Sequence, residues 1–139
     1  MQDRVQATQR VLDAFLDKPL EWGKHDCGRM AGMMLREMGH SPKLTRFGQY
    51  RTAEGALRAM RKQGFNDLPD VLVDLGLQEI ALARALPGDI MAVPGEGMTA
   101  LGIVVGNGRA LFFAPDCVCR VGQLNKLDVA RVWRVPCLK

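Results

Sequence analysis

Residues 20–38 read L-E-W-G-K-H-D-C-G-R-M-A-G-M-M-L-R-E-M. A Trp-Gly loop runs into Asp26-Cys27. The apolar residues Cys27, Met30, Ala31, Met34, Leu35 and Met38 then follow at the spacing of one buried helical face. Asp26 is suited to cap that helix, because its carboxylate can accept from the free amides of the first turn. Cys27 thus stands at the helix start and in phase with the core. Two readings of it are open. The positive end of the helix dipole favours the thiolate and makes a nucleophile. The alternative, which spacing alone favours, is a small hydrophobe filling the core, since free cysteine is among the most buried residue types.

On the N-terminal side, residues 3–17 form an amphipathic pattern, with Val5, Leu12, Phe15 and Leu16 on one face and Pro19 marking the end. On the C-terminal side, Gly39 suits the position just past the Cys27 helix. The stretch L-T-R-F-G-Q-Y-R-T, residues 44–52, is a basic, aromatic loop. Thr52 is placed to cap a helix over 53–63, and Asp67 a short one with Leu68, Val71, Leu72 and Leu75 in phase. The period then changes. Strands are expected at 90–93, 99–105, 109–114, 118–121 and 130–135, with Asn107-Gly108 a type I′ hairpin turn. Helices come first and a meandering antiparallel sheet follows, so residues 1–139 read as a single α+β domain.

The chain has 139 residues, 47% hydrophobic and 24% charged, with a net charge of +4. That describes a soluble globular domain with its own core. The charges are interspersed, without a run of Lys or Arg, so no nucleic-acid partner is expected. A mildly basic surface suits an anionic cell-wall polymer or an acidic protein partner equally well. No apolar segment is long enough to span a bilayer. The polar N-terminus does not read as a secretion signal. The expected setting is assembly in the cytoplasm, or export within a larger particle.

The blocks W-G-K-H-D-C-G, P-G-D-I and L-G-I-V-V-G-N-G together resemble the NlpC-type cysteine peptidases, papain-like peptidoglycan hydrolases. The resemblance covers residues 20–38 and 86–115. R-F-G-Q-Y-R-T, with Trp133-Arg134-Val135, resembles more closely a small phage-tail family of the same fold. The resemblance implies N-terminal helices packed on a C-terminal antiparallel sheet. It implies a cysteine that attacks an amide carbonyl, a histidine on the facing strand that takes the thiol proton, and a polar residue on the next strand that orients the imidazole. The cysteine carries over to Cys27. The histidine position is occupied by Ala100, and the third falls near Phe112 or Phe113, with Phe113 preferred. The chain has two histidines. His25 could serve as a base only if its loop folds back over the helix start. His40 lies past the far end of that helix, about 18 Å away at 1.5 Å per residue. Without a base, a thiol of ordinary pKa is only a few per cent ionised at neutral pH, and acid–base help worth about 10² to 10⁴ in rate is missing. An inactive or very weak hydrolase that keeps the fold is the expectation.

The remaining cysteines, Cys117, Cys119 and Cys137, allow three readings. If 117 and 119 lie in one strand they share a face, and with Cys137 and either Cys27 or His25 they could hold zinc or an iron–sulfur cluster. Cys137 could instead form a disulfide with one of them. Free, partly buried thiols are the preferred reading, and no cofactor is expected. The methionines crowding the Cys27 helix suit adaptable core packing, with Met33 off the buried face. The functional expectation is a structural or assembly protein of a phage tail tip or baseplate, located in the virion and made in the host bacterial cytoplasm. Trp22, Arg46, Tyr50 and Arg51 are expected to contact other tail-tip proteins. Two alternatives stand beside it: an active peptidoglycan amidase or endopeptidase using Cys27, and a non-catalytic cell-wall-binding module.

Overall fold

The computed structural model describes residues 2–138. Four helices come first: α1 (Gln2–Phe15), α2 (Cys27–Glu37), α3 (Ala53–Lys62) and α4 (Leu68–Asp74). Six strands follow: β1 (Gln78–Ile80), β2 (Ile90–Val93), β3 (Ala100–Gly106), β4 (Arg109–Phe113), β5 (Cys119–Gln123) and β6 (Arg131–Arg134). They form one antiparallel sheet in the order β1-β6-β2-β3-β4-β5. The class is α+β. The strands β2 to β5 are the expected meander. β6 departs from it, returning to the free edge of β2, with β1 added outside. β1 has no counterpart in the sequence reading, because Q-E-I is too short and polar to show a period of two.

Helix ends follow local chemistry. The Asp26 side chain accepts from the Arg29 amide at 2.8 Å and caps α2. At the other end Gly39 takes φ 95°, and the amides of Gly39 and His40 close on the carbonyls of Arg36 and Leu35. Thr52 caps α3, and Asp67 with Asp70 forms a capping box on α4. Asn107 and Gly108 both take positive φ, as a type I′ turn requires.

The α1 face differs from expectation. Phe15 is buried and Leu12 packs against the core, as expected, but Val5 is 48% exposed and Leu16 is also exposed, while Ala7, Thr8, Val11 and the charged Arg4 are buried instead. The helix is turned by about one residue because Arg4 reaches a partner in the core. Asp89, 0% exposed, accepts from Arg4 at 3.1 Å, from Arg134 at 2.9 Å, and from the amides of Leu86 and Val135 at 2.8 and 3.0 Å. Arg4 also donates to the carbonyls of Pro87 and Val135. The aspartate of the P-G-D turn therefore joins α1, β2 and the end of β6. The helix stops at Phe15, and Asp17 takes φ 65°.

Met30, Ala31, Met34 and Leu35 of α2, with Met38 at its C-terminal cap, pack on one sheet face with Leu101, Ile103, Leu111 and Trp133. Each large side chain buried there contributes on the order of 2 kcal/mol. Met33 is half-buried against this core. The opposite face carries Met91, Ala110 and Val132, covered by Ile80, Phe112, Leu124, Leu127 and Val129. Both faces of the sheet are thus occupied, and α2 delivers Cys27 to one of them.

Candidate functional site

The chain after α1 runs alongside the start of β5. The Asp17 amide donates to the Cys119 carbonyl at 2.8 Å, the Cys119 amide to Lys18 at 2.9 Å, and the Leu20 amide to Cys117 at 2.7 Å. Glu21 and His25 then bond to each other through both amides and carbonyls, at 2.9 and 2.8 Å. This closes the Trp22-Gly23-Lys24 loop and delivers Asp26. Asp26 is buried and accepts from the Gly23 amide at 2.7 Å as well as from Arg29. The Tyr50 hydroxyl also bonds to it, and burial followed by the Asp26 charge pushes that phenol up to about 12. The Arg29 guanidinium lies over the Tyr50 ring, 5.1 Å from its centroid, and Nη2 donates to the Gly48 carbonyl at 3.3 Å. Gly23, at φ 86°, lies so close to the Tyr50 carbonyl that a Cβ would overlap it.

Cys27 is 8% exposed. Burial pushes its thiol up to about 11; the Leu101 backbone amide pulls the other way, and the Asp26 charge adds to the rise. The helix-terminus argument for a thiolate is therefore outweighed by desolvation. Leu101 directly follows Ala100, so the strand start facing the sulfur is the one the resemblance aligns with the family histidine. Ala100 is half-buried there. Leu111 pairs with Ile103, and strand alternation from Leu111 puts Phe113 on the Cys27 side, where it packs against the main core; Phe112 packs on the other face. The His25 ring stands edge-on to Phe15, with centroids 5.5 Å apart, and His25 is not among the groups acting on the Cys27 thiol. His40 is bonded to the Pro136 carbonyl at 2.7 Å. The start of β3 is anchored by Asp67, which accepts from the Thr99 amide at 3.0 Å and from its hydroxyl.

Above Cys27 is a cavity of about 40 Å³, walled by Trp22, Asp26, Phe47, Tyr50, Met60 and Met98. Beside it runs an open groove of about 910 Å³ lined by Trp22, Lys24, Arg29, Gln49, Tyr50 and Arg51. Three of the four expected contact residues thus converge on one groove. Arg46 does not line it: its guanidinium lies 5.0 and 5.1 Å from the rings of Phe47 and Phe65 and reaches Asp74 at 3.5 Å. Arg29 and Lys24 were missed by sequence reasoning. Both lie in the quoted stretch, and Arg29 is off the buried phase of α2, a signal for an outward role. What could not be read was that the Tyr50 loop folds over it.

Cys117 and Cys119 do not share a strand face. Cys117 sits in the turn before β5 at φ 62°, exposed, while Cys119 is buried with its Sγ 3.9 Å from the Met30 sulfur and its thiol pushed up to about 12 by burial. Both, like Cys27, carry free thiols. Cys137 is exposed in the tail beyond β6. Among the described residues, no three His, Cys, Asp or Glu side chains come together as a metal site. Among them, too, no helix is long and apolar enough to cross a membrane.

A family profile described as "Domain of unknown function (DUF6950)" matches residues 1–135. A solved structure described as NlpC2 from Trichomonas vaginalis superposes with a TM-score of 0.55 at 18% identity, over 95% of this chain and 47% of that one. The chain spans about half the length of that structure. Among curated proteins nothing matches. The likeness shows the fold: an NlpC-like α+β arrangement.

Proposed function

The chain belongs to the family described as a domain of unknown function (DUF6950), and from that premise we propose that it is a catalytically silent NlpC-type domain whose work is binding and assembly. One observation carries the reading. The Cys27 thiol is buried and pushed up to about 11, with the Leu101 amide beside it, and the resemblance aligns Ala100, which can carry no proton, with the family's histidine. At pH 7 such a thiol is ionised in only ~1 molecule in 10⁴. It also lacks the proton donor that a leaving amine needs. The likeness of R-F-G-Q-Y-R-T and Trp133-Arg134-Val135 to a phage-tail family supports the tail tip as the setting and other tail-tip proteins as the partners. The test is release of label from peptidoglycan sacculi, run beside Cys27→Ala. Release no faster than buffer is expected for both. Release by the native chain that Cys27→Ala abolishes overturns the proposal and establishes the active amidase or endopeptidase reading.

A further inference from the structure

We propose that the groove beside Cys27 holds an extended acidic segment of a partner protein. The proposal rests on the silent-thiol reading, since a segment lying there must remain uncut. Three cations line the groove, Lys24, Arg29 and Arg51, against one acid, Glu21. Lys24 and Arg51 are exposed and have their charges free to meet a ligand.

The asymmetry extends along the chain. Residues 43–62 contain Lys43, Arg46, Arg51, Arg58, Arg61 and Lys62 but only Glu54 as an acid, a net of +5 from six cations minus one anion. The whole chain carries +4, so every other part together is slightly negative. The positive charge is concentrated on a segment whose residues 45–51 supply one wall of the groove; of its six cations Arg51 lines the groove itself. Charge gathered in this way steers an oppositely charged partner and fixes its orientation.

The groove is not purely ionic. Trp22 and Tyr50, both half-buried, also line it. A segment mixing carboxylates with apolar side chains uses both parts. The Tyr50 ring face is already covered by Arg29 at 5.1 Å, which removes one of the two aromatic platforms that nucleic-acid bases would stack on. A peptide is therefore favoured over a nucleic acid.

The experiment uses the full chain and a blocked peptide of alternating glutamate and leucine, read by tryptophan fluorescence. Trp133 is fully buried, so a change on binding reports Trp22. Saturable binding is expected, weakened at least about tenfold when glutamine replaces glutamate, and weakened again between ~50 and ~200 mM salt. Lys24→Glu with Arg51→Glu should weaken it at least about tenfold, whereas Arg109→Glu, on the hairpin of β4, should change it less than about twofold. Equal affinity for the glutamine peptide, insensitivity to Lys24→Glu with Arg51→Glu, or tighter binding of an oligothymidylate or of a soluble muropeptide overturns the proposal, as does no binding of the glutamate peptide at millimolar concentration. Sacculus hydrolysis is scored separately: label release with intact peptide binding sinks the silent-thiol reading, and lost peptide binding without release sinks this one.

Discussion

At the scale of single residues, Cys27 combines a place at the start of a helix with the environment of a core side chain. Its helix-terminal location and its burial act in opposite directions, and burial is the larger. Alkylation should display the difference. In native protein at about pH 8, iodoacetamide should label exposed Cys117 within minutes and leave Cys27 unmodified until denaturant is added, as read by peptide mass spectrometry. The facing strand offers a second check. Leu101 and Ile103 share the Cys27 face of the sheet, so Ala100, paired with Val93, turns its side chain to the other face. Ala100→His should therefore leave Cys27 labelling within about twofold of the native rate; labelling raised by about tenfold would mean that the strand start can place a base beside the thiol. Asp26 has moved from cap to hub. It caps α2 through the Arg29 amide and, through Gly23 and the Tyr50 hydroxyl, also holds the loops around it.

At the scale of elements, one contact positions the groove and another ties α1 to the sheet. Gly23 lets the Trp22 loop touch the Tyr50 backbone, and no side chain fits there at φ 86°. Gly23→Ala should cost about 2 kcal/mol or more in urea denaturation and should weaken groove binding in parallel. Asp89 joins α1 to both sheet segments. Asp89→Asn leaves Arg4 buried without its charge partner, so a loss of about 3 kcal/mol is expected, measured the same way. The contrast between α2 and α1 shows what a sequence can reveal. The α2 cap, phase and closing glycine are all local, and each was readable in residues 20–39. The phase of α1 was misread because the partner of Arg4 lies 85 residues away, and an arginine without a known partner is reasonably assigned to solvent. β1 was invisible for a similar reason: Gln78, Glu79 and Ile80 are a strand because Arg134, Trp133 and Val132 pair with them. Within the site, the place of Cys27 at the start of α2 was readable from the cap and the helical phase. The meeting of Trp22, Lys24, Arg29 and Arg51 was not, since it depends on how two loops fold over one helix end.

At the scale of the whole molecule, the fold holds three weakly acidic hydrogens away from water, two in the core and one in the loop over Asp26. Cys27, Cys119 and the Tyr50 phenol are all held in their neutral forms, with folded pKa values pushed up to about 11, 12 and 12 from 9.0, 9.0 and 10.0. The folded chain therefore binds these protons more tightly than the unfolded chain. Their contribution to stability is fully present below pH 9 and is lost as pH rises, through about 11 for Cys27 and about 12 for the other two. Each group adds a slope of about 1.4 kcal/mol per pH unit within its own window. Urea midpoints should thus be flat with pH around neutrality, as far as these groups are concerned, and fall steeply above pH 9. Cys119→Ala should flatten that fall, at the cost of a small loss at neutral pH from the vacated core volume next to Met30. Cys27→Ala should flatten it over the narrower range to about 11. A fall of the same steepness in both variants would mean that the two thiols ionise in the fold as freely as in the unfolded chain, and the buried-thiol description of the site would fail with it.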